Sequence, residues 1–324
     1  MHPFGPAMSE EKPAHTVAHY WNVNRETSSD PTYWMAHPLC REAINRRVTG
    51  SPHEWPLDWF RRVHAARPFA RGVSWGCGLG AFERSAIRAG LVREIDAFDI
   101  SPASVEDARR EADMEGIGGL RYAVGDFDDP RVEPGRYDIV LFHASLHHVA
   151  RLGRMFRRLA RALPAGTAVY VDEYVGPSSD DWSDAKLAAA RGLLAECPER
   201  GRTGKALEPP VNKYDISEAI RSGEIRRYLG DYLDVVEWRP YGGQLAGLIF
   251  PYLKPDWLQA GEGRAFVRRL MDLEDAELAR DPEAAHHLVA FGRLKDAKRL
   301  PGLPAQAWRA LRRRLHVMRR GRAC

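Results

Sequence analysis

Cysteine is scarce in this chain, and long hydrophobic runs are missing. The four cysteines, Cys40, Cys77, Cys197 and Cys324, are scattered with no CxxC pair. That spacing offers neither a zinc ribbon nor a disulfide framework, and it makes a reducing cytoplasm the expected home. No apolar stretch approaches the roughly 20 residues that a membrane-spanning helix requires. The opening segment, "MHPFGPAMSEEKPAH", lacks a basic start followed by an apolar core, so no secretory signal is expected. Internal repeats are also missing. What remains is an ordinary globular composition: 324 residues, 44% hydrophobic and 28% charged, enough for one large domain with an appendage or for two.

Charge is unevenly placed. Lys295 to Cys324 hold ten Lys/Arg and one acid, Asp296, whereas the rest of the chain has 38 basic and 43 acidic residues. The net +4 therefore belongs to the tail, and the body has no charge excess of the nucleic-acid-binding kind.

The texture changes along the chain. Residues 1–16 are rich in Pro, Glu and His and are expected to be disordered. Residues 17–68 read as a cap of several short helices, interrupted by Pro38, Pro52 and Pro56. From 69 to 175 strands alternate with helices. "RGVSWG", "EIDAFDI", "LRYAVGD", "YDIVLFHA" and "TAVYVDEY" are the strands. "AFERSAIRAG", "SPASVEDARREADMEG" and "HVARLGRMFRRLARAL" are the helices. This alternation predicts a parallel sheet covered on both faces. Ser101 is the expected N-cap of the second helix, with Pro102 at its first position. Residues 176–230 read as a mainly helical insertion with a loop through "CPERGRTGKALEPPVNKYD", 231–295 as two last strands around a helical insert, and 296–324 as a basic amphipathic tail.

The first strand runs into "GVSWGCGLG". Gly76, Gly78 and Gly80 let backbone approach a ligand closely, but a lone G-x-G-x-G also marks bare tight turns. The residues at the next strand ends give it weight. Asp99, with Ile100 behind it, ends the second strand, where a carboxylate can accept two ribose hydroxyls. Asp126 and Phe127 end the third, an acid for an adenine amine and a ring for the purine face. "FHASLHHV" ends the fourth, and "LPAG" turns into the fifth.

This ordered set resembles the class I S-adenosylmethionine-dependent methyltransferases, closely over residues 70–175. The flanks "HPLCREAINRRVTG", "EYVGPS", "DISEAIRSGEI" and "YGG" are similar to one bacterial branch of that superfamily. The resemblance implies an α/β, Rossmann-like, doubly wound sheet of seven strands, parallel with an antiparallel last strand. It also implies S-adenosyl-L-methionine as cofactor, leaving S-adenosyl-L-homocysteine as product. By position, Ser74, Gly76, Cys77, Gly78, Gly80, Glu83, Asp99, Ile100, Asp126, Phe127 and His143 would line the cofactor. Members often carry an acid where this chain has Ser74, so either Glu83 or a water takes that acid's place, or the cofactor is bound more weakly. Glu83 also reads simply as a helix-start acid favoured by the dipole.

Methyl transfer from a sulfonium is an in-line displacement in which the protein chiefly aligns the reactants, and an oxygen nucleophile usually needs a base. His143, His147 and Glu173 are the catalytic candidates. Tyr20, Trp21, His148 and Tyr174 are the acceptor-side ones, with Tyr20 and Trp21 as a lid or as core. Any of the three histidines could instead cap a helix or pack beneath the cofactor. Asp126, Asp172 and Glu173 form no evident ligand set, and no metal is expected. No DPPY-like motif comes after the fourth strand, which counts against a nucleobase amine.

The expected function is O-methylation of a small molecule or glycan, such as a natural product, sugar or lipid-linked saccharide. An RNA-modifying methyltransferase and a non-catalytic cofactor-binding protein are the alternatives. In the tail, Trp308, Leu311, Leu315 and Met318 share one helical face opposite arginines. That face suits an anionic membrane, which would make the cytoplasmic protein peripheral at the inner membrane face. A solvated terminus or a nucleic-acid contact fits the same residues.

Overall fold

A computed structural model describes residues 17, 18, 20–22, 33–179, 181–211 and 215–300. The expected disordered start and the basic face of Trp308, Leu311, Leu315 and Met318 lie outside them. Among the described residues no helix is long and apolar enough to cross a membrane.

Seven strands form one sheet: β1 Phe69–Trp75, β2 Val92–Asp99, β3 Leu120–Val124, β4 Ile139–His143, β5 Ala168–Tyr174, β6 Leu233–Gly242 and β7 His287–Leu294. Their order is β3-β2-β1-β4-β5-β7-β6. Pairs from β3 through β5 are parallel, and β7 runs antiparallel to both β5 and β6. The central strands read as continuous apolar runs because both faces are covered, as in β4, whose Ile139 to Phe142 are all buried.

Helices α1 Pro38–Thr49, α2 Pro56–His64, α3 Ala81–Arg88 and α4 Pro102–Met114 contribute Ile44, Phe60, Ala86 and Val105 to one cluster. Tyr170 and Leu141 of the sheet join them there. Helix α5, Leu152–Ala162, packs Met155, Phe156 and Leu159 on the other face, against Val140, Phe142 and Val171. Its arginines turn outward, which is why so basic a segment still forms a core helix.

Prolines set the helix starts: Pro38, Pro56 and Pro102 all occupy first-turn positions. Ser101 Oγ accepts from Ser104 N at 3.0 Å, the N-cap read from sequence. One expectation changes. The helix expected from His148 begins instead at Leu152, because Leu146–His148 form a separate 3-10 turn. In the insertion, α6 Asp184–Glu196 and α7 Ile225–Tyr232 are helical, and the described residues between them, where a loop is expected from Cys197 on, form short 3-10 turns and irregular chain. Glycine and two consecutive prolines, Pro209 and Pro210, disrupt the helical period there.

Short helices α8 Ala246–Ile249 and α9 Pro255–Gln259 lead to α10, Gly261–Arg280. Glu274 of α10 is fully buried. One of its oxygens accepts from the amides of Gly243, Leu245 and Ala246 at 3.0–3.1 Å, and the other pairs with Arg47 of α1 at 2.9 Å. This clip fixes the N-terminal cap beside the end of β6, along the rim where the sheet's carboxyl ends open.

Candidate active site

The glycine turn is shaped by tight quarters. Gly76 has φ +72°, and a Cβ there would sit 2.7 Å from Ser145 Cβ and 2.8 Å from the Phe127 ring. The turn, the end of β3 and the turn after β4 therefore meet at one point. Gly76→Ala is expected to cost about 1–3 kcal/mol from a left-handed backbone plus overpacking, read as a lower melting temperature.

Asp99 is buried and holds the turn from below. Its Oδ2 accepts from Gly78 N at 2.8 Å and its Oδ1 from Ser101 N at 2.9 Å. Burial raises its pKa, and these amides oppose the shift. Ile100, beside it, is half-buried. Asp126 Oδ1 accepts from Asp128 N at 2.7 Å, capping its own loop. Cys77 lies in the turn, and burial pushes its thiol pKa up, so it offers no thiolate.

The missing acid of β1 is partly supplied. Ser74 Oγ donates to Glu83 Oε1 at 2.6 Å, both groups buried, while Glu83 Oε2 has no hydrogen-bond partner. Burial pushes the Glu83 carboxyl up to about 7, against the Ser74 bond. A carboxyl raised in the folded state stabilises fully below its unfolded pKa, and that contribution is lost as pH climbs through about 7. Glu83→Gln should remove up to about 3 kcal/mol of this slope. Melting curves at pH 5 and pH 8 measure it as a pH-insensitive variant.

At the tip of β4, His143 is exposed and lies flat on Phe82, 4.5 Å between ring centroids and 10° between planes. Its register partner on β5 is Asp172, half-buried and bonded by Tyr241 Oη at 2.8 Å. His147 and His148 sit in the next turn. Glu173, 1% exposed, holds that turn. Its Oε1 accepts from the amides of Ser145 and Leu146, and its Oε2 meets His147 Nδ1 at 2.9 Å. Its place at the end of strand five makes Glu173 a catalytic candidate; both its oxygens are instead bonded within the turn, so it positions His147.

His148 Nδ1 meets Ser217 Oγ at 3.1 Å, and Glu218 reaches both rings from the insertion. Burial lowers the His147 pKa, but its bond to Glu173 and the charges of Glu173, Glu218 and Asp215 raise it overall. Burial and the neighbouring His147 push His148 well below the usual histidine value. Two adjacent residues of one type thus acquire opposite tendencies. Ala144 and Ala219, which flank this group, are the two non-glycine residues with positive φ among the described ones. Backbone strain of this kind collects at functional sites.

The N-terminal segment crosses the same cleft. Asn22 Oδ1 accepts from Ser101 Oγ at 2.8 Å, and Trp21 meets His148 edge-on at 5.3 Å, with Tyr20 against Trp21. Tyr174 is half-buried, its hydroxyl donating to Pro177 O at 3.1 Å and its ring edge toward His147. Sequence reasoning missed Phe82, Tyr241, Ser217 and Glu218. Ser217 and Glu218 come about 70 residues after His147 in an irregular loop, and no local spacing ties them to it.

Residues 73–171 match the family model described as a methyltransferase domain. They form a class I S-adenosylmethionine-dependent methyltransferase domain. Two uncharacterized RNA methyltransferases, from Listeria innocua and Listeria monocytogenes, are each 42% identical to the chain over 53 residues, 16% of its length. The chain spans 11% of the length of these curated relatives. A Haemonchus contortus phosphoethanolamine N-methyltransferase solved with S-adenosyl-L-methionine aligns over 90% of this chain and 61% of its own. Its TM-score is 0.50 at 15% identity, a likeness of fold. In this methyltransferase domain the glycine turn, Asp99 and Phe127 stand at the carboxyl ends of the first three strands, where doubly wound sheets bind nucleotides.

Proposed function

We propose that this chain transfers a methyl group from S-adenosyl-L-methionine to a hydroxyl of a small molecule or glycan. The observation that carries this is His147: Glu173 fixes its Nδ1, so its Nε2 is turned toward Glu218 of the insertion, in the turn after β4 that packs on the glycine turn through Ser145 and Gly76. The residues fit the cofactor. Gly78 has open space where a side chain would stand, Asp99 has lone pairs left for ribose hydroxyls, and Glu83 Oε2 is a buried acceptor awaiting a donor such as an ammonium. When bound, the cofactor supplies an electrophilic methyl carbon.

The chain's own part is to orient the acceptor and to take charge of its hydroxyl proton. His143, His147 and His148 would form the wall facing the acceptor oxygen, with Trp21 and the Ser217–Glu218 loop set against His148 from two sides. Tyr174 and Tyr20 shape the margin of this wall.

Calorimetric titration should give one S-adenosyl-L-methionine per chain. Incubation with a panel of sugars and hydroxylated polyketides should release S-adenosyl-L-homocysteine. Absence of cofactor binding would sink this reading. An RNA acceptor is the second reading, favoured by the short likeness to the Listeria proteins. Salt-sensitive retention on RNA with methylation of it would establish that one instead.

A further inference from the structure

We infer that His147, His148 and Glu218 form a binding site for one divalent transition-metal ion. The inference rests on the reading of this cluster as the acceptor wall, and it adds what the wall holds.

The tautomers decide what the cluster can bind. Glu173 carboxylate can only accept from His147 Nδ1–H, so Nε2 of His147 bears the lone pair. Ser217 Oγ donates its proton to Asp215 Oδ1 at 2.6 Å and accepts from His148 Nδ1–H, which leaves the His148 Nε2 lone pair free as well. Both lone pairs face one carboxylate: His147 Nε2 lies 3.9 Å from Glu218 Oε1, and His148 Nε2 lies 3.9 Å from Glu218 Oε2. With both rings neutral, three acceptors converge and repel one another; the carboxylates beside His147 raise its pKa and burial raises that of Glu218, so a proton is the competing partner. At 3.9 Å a shared proton makes no proper hydrogen bond, so a cation in the middle is the natural partner.

The dimensions suit it. One ligand atom from each residue lies within 4.8 Å of the others. Metal–ligand bonds of about 2.0–2.2 Å need ligand separations near 3.3 Å, a closure of roughly 0.6 to 1.5 Å that the part-exposed Glu218 side chain can supply. Two imidazoles and a carboxylate are the donor set of transition-metal sites with open positions, rather than of magnesium or calcium. The supports behind the ligands are those of metal-bound histidines: a carboxylate on one ring and an Asp-oriented hydroxyl on the other. Ile220 N donates to His147 O at 3.2 Å, which locks the loop carrying Glu218 onto the turn carrying the histidines. Glu218 remains about one-third exposed, so the site has an entry path and its open positions face the cleft.

The full chain, stripped with a chelator, should bind one Zn²⁺ in calorimetry, and Co²⁺ should give visible absorption bands of nitrogen–oxygen coordination. Glu218→Gln and His148→Ala should each weaken Zn²⁺ at least tenfold. Ser217→Ala, which touches no ion, should weaken it by about 10–100-fold. Circular dichroism checks that each variant is folded. Absence of stoichiometric binding by the parent, or affinity unchanged in all three variants, overturns the inference. Cofactor titration of the same samples separates the claims: cofactor bound without metal removes only this site, and metal bound without cofactor removes only the methyl-transfer reading.

Discussion

Replacing Asp99 with alanine is expected to weaken S-adenosyl-L-methionine binding by about 10²–10⁴-fold, since two charge-assisted hydrogen bonds of about 1.5–3 kcal/mol each are lost. The structure adds a second cause. Asp99 also anchors Gly78 N, so the variant loosens the turn that should cradle the cofactor. Asp99→Asn separates the two effects, because an amide oxygen can still accept from one loop amide while the charge is gone. Calorimetry on both variants, with melting curves showing that the fold persists, gives the measurement. Affinity unchanged in Asp99→Ala would remove the ribose assignment and with it the placement of the cofactor.

The second large effect is at His147. His147→Ala should lower the turnover number by about 10²–10⁴-fold while leaving cofactor affinity within a factor of about two or three. Whether Nε2 takes the proton or binds the ion, it lies on the acceptor side of the cleft. Glu173 is the complementary test, since it touches no acceptor and acts through His147 and the turn amides. Glu173→Gln should reduce turnover less than His147→Ala, and it should lower the pH at which His147 titrates by nuclear magnetic resonance. An unmoved titration would mean that Glu173 is only a structural anchor. Full turnover in His147→Ala would move the chemistry elsewhere, His143 first, since it is exposed and stacked on Phe82 at the same strand end.

Much of the architecture is legible in the chain because its cues are local. Apolar runs of strand length, a Ser-Pro helix start at 101–102 and glycines at 76, 78 and 80 act within a few residues, and each appears where its chemistry demands. The role of Ser74 is half legible: Glu83, nine residues on, is within one strand-turn-helix unit and does bond it. The 176–230 insertion is legible in the same local way: its alanine-rich stretch reads as helix and forms α6, and the prolines and glycines after Cys197 read as a loop and leave the described residues there irregular. Glu173, by contrast, is opaque. Its position at the end of strand five places it at the rim, but only the path of the turn after β4 brings two backbone amides and an imidazole onto its oxygens.

By itself the sequence determined the doubly wound sheet, its strand-end glycine turn and the acids downstream of it, because period and turn chemistry are properties of neighbouring residues. Tertiary structure alone decided that Glu218 and Ser217 face the two histidines, that Trp21 crosses to His148, and that Glu274 clips the cap to β6. Such encounters join residues tens to hundreds of positions apart. They are set by which surfaces bury together, and no spacing in a linear chain encodes them.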